Sequence, residues 1–339
     1  MLLLKQAIMQ PIYLVGSKLL EKVGFFDLLE DKLILVDEKM MSRSDGYHPD
    51  LTAALEHLMA SGGKRIRPII TLLIGSMLGA NEGNLISLSA SIELLHTATL
   101  VHDDLIDGAL LRRGNPTLNS HWTPAATVLT GDYIFAQAAL LAAEIGSTEA
   151  MSLFAQTLSI IVNGEITQLF GRNEFSSIDD YFNRIYEKTG SLFALSAKAA
   201  ALISPVDKKS IPPAEEFGRE IGKAFQIVDD VLDFTGDQTR VGKPIGHDLR
   251  QGVLTLPALY YREKNPDDDV LQDCLDGTAG DAAVEDLLNR IKDSGVIQQA
   301  MVEAKACIKK AIKALDEFPD CNDKNSLVEL AEYIVDRDI

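Results

Sequence analysis

Apolar residues recur at the helical period in almost every segment longer than ten residues, and no run of alternating β-branched residues is bounded by tight turns. This pattern confines the chain to an all-α fold. Thr123 before Pro124, Ser177 before Ile178-Asp179-Asp180 and Ser210 ahead of Pro212-Pro213 are helix starts, while Gly79, Gly108, Gly146, Gly171 and Gly236 mark stops. The predicted helices are 3 to 22, 50 to 60, 66 to 79, 84 to 107, 124 to 145, 148 to 170, 178 to 203, 212 to 235 and 249 to 263, with three shorter ones after residue 268. The first is amphipathic, interrupted by Lys5, Gln6, Gln10 and Pro11, and lacks a signal-peptide pattern. The polar stretch 261 to 287 reads as a loop and short helix, so one all-helical domain over 1 to 339 is expected.

With 46% hydrophobic and 24% charged residues, the chain can bury a large core. Its 32 Lys+Arg against 50 Asp+Glu leave a formal charge of -18, which argues against nucleic acid and anionic membrane surfaces as partners. Cys274, Cys307 and Cys321 are odd in number and lack metal-ligand spacing, so a reducing, cytoplasmic setting is expected. No window reaches the roughly 18 to 20 uninterrupted apolar residues of a membrane span. A greasy product would then be handed to a membrane from outside.

Two helices end against their own electrostatics. LLHTATLVHDDLIDGALLRRG, from 94 to 114, places Asp103, Asp104 and Asp107 before a glycine, and AFQIVDDVLDFTGD, from 224 to 237, repeats the device with Asp229, Asp230 and Asp233. Acids at a helix C-terminus are disfavoured by roughly 0.3 to 1 kcal/mol each. Like charges one turn apart add roughly 0.2 to 0.5 kcal/mol of repulsion. A solvated face would explain an isolated pair, but the flanking sequence here is apolar. Gln226, Asp230, Asp233 and Asp237 form a narrow stripe with Asp229 beside it, opposite Phe217, Ile221, Ala224, Phe225, Val228, Val231 and Leu232. Asp103 and Asp107 share a face with Thr99 and His96 below them.

A divalent cation removes both penalties. Mg2+ takes carboxylate oxygens at about 2.0 to 2.1 Å and bridges to substrate phosphates. Two such helix ends facing across a bundle interior would clamp a diphosphate leaving group. SGGKRIRP, from 61 to 68, and Arg112-Arg113 supply cations suited to phosphate, although either segment alone would read as a surface turn. The Gly-Gly-Lys is not a P-loop, since the spacing and the preceding strand are missing.

These residues resemble the trans-isoprenyl diphosphate synthases. GGKRIRP, LLHTATLVHDDLIDGALLRRGNPT, GEITQ (164 to 168), KTGSLF (188 to 193), FQIVDDVLDFTGD and GKPIGHDLRQGVLTLP (242 to 257) occur in family order over about 61 to 260. The resemblance implies an isoprenoid synthase-type helical bundle around a deep cavity, usually homodimeric, that condenses isopentenyl diphosphate with an allylic diphosphate. It implies Asp103, Asp107, Asp229, Asp230 and Asp233 as Mg2+ ligands or their immediate partners, with Asp104 in support. Three ions would bind with substrate, and Mn2+ would substitute. By the same resemblance Arg112, Lys188, Thr189, Gln226 and Lys243 contact the allylic diphosphate, and Lys64, Arg67, His96 and Arg113 the isopentenyl diphosphate. Many members carry a further lysine where Val253 stands.

Short-chain members often place aromatic residues four and five positions before the first aspartate. Here those positions are Thr99 and Ala98, with Leu95 and Ile92 as the next candidates for a floor. Geranylgeranyl or longer all-trans products are therefore expected. The competing readings are a shorter-chain farnesyl synthase, a type I terpene cyclase and a noncatalytic partner subunit. All six aspartates argue against the last, and the basic set argues against the cyclase.

Overall fold

Helices form where the apolar period runs, and side-chain caps fix several of their starts. The computed structural model describes residues 25–44, 48–112, 114–170, 177–236 and 245–336. The predicted helix 3 to 22 lies outside them. The Thr123 hydroxyl accepts from Ala126 N with Pro124 in the first turn, and Ser177 forms a reciprocal capping box with Asp180. Ser210 makes no such bond, because a short 3-10 turn, Lys208–Ser210, already leads into its helix.

The chain divides into two compact units. The first comprises Met1–Phe154, Ser196–Lys208 and Asp320–Glu329. It contains α1 (Phe25–Met41), α2 (Pro49–Ala60), α3 (Ile66–Met77), α4 (Glu82–Ile106) and α5 (Pro124–Glu144), with a two-stranded antiparallel hairpin, β1 (Leu111–Arg112) and β2 (Asn115–Pro116), after α4. α4 is its centre and packs against α5, α3 and α1. Close approach requires small residues: a Cβ on Gly131 of α5 would lie 2.2 Å from His102 Nε2, and one on Gly75 of α3 2.1 Å from Leu85 Cδ2. The Ser91 hydroxyl donates to the carbonyl of Ala138 over 2.7 Å, satisfying a buried polar group across the α4–α5 contact.

The second unit comprises Ala155–Leu195, Lys209–Pro319 and Leu330–Ile339. In chain order the remaining helices are α6 (Thr148–Phe170), α7 (Ile178–Ile185), a π-helical turn (Tyr186–Gly190), α8 (Ser191–Leu202), α9 (Ile211–Thr235), α10 (His247–Arg250), α11 (Leu256–Lys264), α12 (Asp269–Leu275), α13 (Asp281–Asp293), α14 (Val296–Ala314) and α15 (Asn322–Val335). α9 is central, packing on α14 and the π turn. It buries Phe217, Ile221, Ala224, Val228 and Val231 completely, as the apolar side predicts, whereas Phe225 and Leu232 are half-buried. Burying each large apolar side chain contributes roughly 1.5 to 3 kcal/mol.

Four expectations change. α1 was missed, although Leu29, Leu33, Val36 and Met40 bury one helical stripe. The helix expected over 178 to 203 is interrupted by the π turn. The one expected over 249 to 263 breaks between α10 and α11, at Gly252 (φ 72°). The region after 268 holds α12 to α15, of which α14 spans 19 residues. α4 and α5 are long and apolar enough to cross a membrane, but 61% and 44% of their apolar windows are buried, and α4 carries Asp103 and Asp104 in its last turn. Cys274 and Cys307 are buried, Cys321 is half-buried, and all three are free thiols.

Candidate active site

α4 ends on its acids with no basic residue in the last turn. Asp103 is half-buried, Asp104 buried, and Asp107 exposed at the C-cap. The hairpin then doubles back and returns Arg112 to this end: its Nε donates to both Asp104 oxygens at 2.8 and 2.9 Å, and its Nη2 lies 2.7 Å from Oδ1. Asn119 Nδ2 donates to the carbonyls of Asp104 and Ala109, and the Thr117 hydroxyl to that of Ala109, so the return path is tied down. Asp104 therefore holds an arginine, while Asp103 and Asp107 lie one turn apart on one face. Arg113 lies outside the described residues.

In the basic turn, Lys64 and Arg67 are half-buried and Arg65 is buried, paired with Glu93 at 2.8 Å and Asp37 at 3.2 Å. His96 is half-buried on α4, one turn beyond Glu93. Sequence reading placed Arg65 in the basic cluster but gave it no role. Its partners are distant in sequence, so only packing discloses them.

In the second unit, both oxygens of Asp230 are engaged. The Tyr181 hydroxyl donates to Oδ2 over 2.7 Å, and Gln226 Nε2 donates to Oδ1 over 2.8 Å. The Thr189 hydroxyl in turn donates to Gln226 Oε1 over 2.7 Å. Burial, with the Asp248 carboxylate adding to it, raises the Asp230 carboxyl to about 8. Burial and Asp230 push the Tyr181 hydroxyl well above its ordinary value. Asp233 accepts from the backbone N–H groups of His247 and Asp248, each at 3.1 Å, and its carbonyl accepts from Gly246 N. Asp229 is half-buried beside them. Lys188 pairs with Glu165 at 2.8 Å. Asp237 and Lys243 lie outside the described residues.

The π turn presents Lys188 and Thr189, and two glycines of α9 make room for it and for the start of α8. A Cβ on Gly222 would lie 2.6 Å from Gly190 Cα, and one on Gly218 2.4 Å from the carbonyl oxygen of Phe193. Such turns are frequent at functional sites. Tyr181 was not singled out from the sequence; the tyrosine-rich helix before Lys188 was its one visible signal.

A family model described as Polyprenyl synthetase matches residues 48–291. The chain belongs to the polyprenyl synthetase family. Heptaprenyl diphosphate synthase component 2 of Bacillus subtilis is 34% identical over 311 residues, covering 91% of this chain and 89% of that one. Octaprenyl diphosphate synthase of Haemophilus influenzae is 34% identical over 284 residues, covering 83% and 86%. A crystal structure of a polyprenyl synthase from Caulobacter crescentus, complexed with calcium and isoprenyl diphosphate, superposes with a TM-score of 0.87 at 33% identity, covering 92% of this chain and 96% of that one. As a polyprenyl synthetase the chain is a prenyltransferase with the all-α isoprenoid synthase fold.

Among the described residues of this polyprenyl synthetase, no three His, Cys, Asp or Glu side chains converge as a finished metal cage. Mg2+ keeps several waters and takes one or two carboxylates plus substrate phosphate. The donors are hard oxygens at two helix ends that lack a basic residue in the last turn, so the residues fit the ion. Below Asp103, Thr99 is half-buried and its hydroxyl donates to the carbonyl of His96 over 2.8 Å, whereas Ala98, Leu95 and Ile92 are fully buried.

Proposed function

We propose that this polyprenyl synthetase condenses isopentenyl diphosphate with an allylic diphosphate, dependent on Mg2+, to give all-trans geranylgeranyl or longer products. The observation that carries the reading is the acid ending of α4 and α9, where neither last turn holds a base. Asp103, Asp107 and Asp229 would hold Mg2+. Asp230 and Asp233, whose oxygens accept from Gln226, Tyr181 and the backbone of 247–248, would hold the frame around Asp229. Bound Mg2+ supplies Lewis-acid neutralisation of the diphosphate leaving group.

The protein's own groups do the rest. Arg112, Lys188, Thr189, Gln226 and Lys243 orient the allylic diphosphate, and Lys64, Arg67, His96 and Arg113 the isopentenyl diphosphate, all by charge-assisted hydrogen bonds. The Asp104 carboxylate fixes the guanidinium of Arg112. No covalent nucleophile is needed.

Small residues at 98 and 99, together with relatives named for heptaprenyl and octaprenyl products, support a medium or long chain. Exposed apolar stripes support a homodimer: Val128, Leu129 and Leu140 on α5, and Val162, Ile166, Leu169 and Phe170 on α6. The Bacillus relative is named as a component, which favours as second reading a catalytic chain that needs a partner subunit. Free thiols support a cytoplasmic setting, with product handed to a membrane.

Purified protein is incubated with Mg2+, isopentenyl diphosphate and dimethylallyl, geranyl or farnesyl diphosphate, and the products are separated by length. Products of geranylgeranyl length or longer, lost in chelator, are expected. Arrest at farnesyl diphosphate overturns the chain-length reading. Consumption of primer without isopentenyl diphosphate overturns the transferase reading in favour of a cyclase. No product until a second subunit is added selects the heteromeric one.

A further inference from the structure

The basic turn contains the only non-glycine residue with a left-handed backbone among the described residues, Arg65 at φ 48° and ψ 30°. That conformation is disfavoured for a residue with a Cβ and persists where the surroundings over-determine it. Glycine would adopt it freely, so the backbone does not account for an arginine. The guanidinium does. Nη1 donates to Glu93 Oε1 on α4 at 2.8 Å, and Nη2 lies 3.2 Å from Asp37 Oδ1 on α1 and 3.5 Å from Met59 Sδ on α2. One buried side chain thus joins the entry of α3 to three other helices.

The residues around this joint are the ones assigned to one substrate. Lys64 immediately precedes Arg65 and Arg67 follows it by two positions, while His96 lies three positions after Glu93, on the same face of α4. We propose that the buried Arg65–Glu93 pair is a positioning device that sets Lys64 and Arg67 against His96 and thereby fixes the isopentenyl diphosphate end of the site. The inference rests on the reading that those three residues grip that substrate. Arg65 itself touches no substrate. Its contribution is the direction in which the turn leaves α2 and enters α3.

Steady-state kinetics of the full-length enzyme test it, with each substrate varied in turn. Arg65→Gly keeps the backbone conformation accessible and removes the anchors. It should raise KM for isopentenyl diphosphate by about tenfold or more while shifting the primer KM by about twofold at most. Arg65→Lys, which keeps one donor to Glu93, should recover part of the loss. If Arg65 acts through Arg67, adding Arg65→Gly to Arg67→Ala should change little beyond Arg67→Ala alone. A normal isopentenyl diphosphate KM in Arg65→Gly beside a raised one in Arg67→Ala overturns the positioning role alone, as does an equal effect on both substrates. A normal value in Arg67→Ala overturns the assignment of the turn and this proposal with it. Should Arg65→Gly fail to fold, Glu93→Gln loosens the same joint at lower buried charge and is read by the same criteria.

Discussion

The phenolic O–H of Tyr181 points at Asp230 Oδ2 over 2.7 Å, on the opposite oxygen from the one that Gln226 occupies. Tyr181 is fully buried and Asp230 nearly so, which makes this contact the inner end of a chain running Thr189, Gln226, Asp230, Tyr181. Tyr181→Phe should leave one buried carboxyl oxygen without its donor, a loss of roughly 1 to 3 kcal/mol for a buried acceptor left unsatisfied. The expected result is a lower melting temperature, a higher Mg2+ concentration for half-maximal activity and unchanged far-ultraviolet circular dichroism. An unchanged Mg2+ requirement would assign Tyr181 to packing only.

Asp230 also gives the metal-free protein a pH dependence. Its carboxyl ordinarily titrates at 3.8 and is raised in the fold to about 8, by burial first and by Asp248 second. Between these values the folded state holds a proton that the unfolded chain has released, so stability falls as pH rises. Melting temperature measured in chelator should decline from pH 6 to pH 8.5, and Asp230→Asn should flatten that decline. Added Mg2+ should recover more stability at the upper end of the range, because a cation held by the neighbouring Asp229 favours the ionised form of Asp230. Parallel wild-type and Asp230→Asn curves would locate the titrating group elsewhere.

The two acids of the first pair should behave differently. Asp103→Asn removes a proposed metal donor and should lower turnover by several orders of magnitude with the helical spectrum intact; Asp229→Asn should do the same. Asp104→Asn instead releases Arg112 from its bidentate hold. It should raise the primer KM more than it lowers turnover. Equal losses in Asp103→Asn and Asp104→Asn would dissolve the distinction.

Chain length should respond to Thr99 and Ala98 in different ways. Thr99 is half-buried, so Thr99→Phe adds bulk on the open side of α4 and should shorten the main product toward farnesyl diphosphate with little change in melting temperature. Ala98 is fully buried, and Ala98→Phe should overpack the core at roughly 1 to 3 kcal/mol. Product analysis and thermal melts of both variants separate the effects. An Ala98→Phe enzyme that is stable and makes short products would put Ala98, too, on the path of the tail.

Periodicity in the sequence was enough for the fold class, most helices and both aspartate clusters, since each rests on residues a few positions apart. What stayed hidden depends on distant partners. Arg65 looks like one more cation until Asp37 and Glu93 fold against it, and Asp230 looks like one more exposed acid until Tyr181, 49 residues earlier, covers it. The break within 178 to 203 was illegible for the same reason, because the turn lies against Gly222 of α9, distant in sequence. α1 was legible and overlooked: Leu29, Leu33, Val36 and Met40 carry the period. So was the break at 251 to 255, where Gly252 precedes Pro257.

The π turn at Tyr186–Gly190 can also be viewed as a one-residue insertion frozen inside a helix. The wider turn absorbs the extra residue, so the helical stretches on either side keep their phase and Tyr181 still faces Asp230 while Gly190 and Phe193 lie against Gly222 and Gly218. Deleting a single residue there would close the turn to α without carrying Tyr181 around the axis, and would change what the turn itself presents, Lys188 and Thr189. The placement of those two side chains is thus set by residue count as much as by residue type.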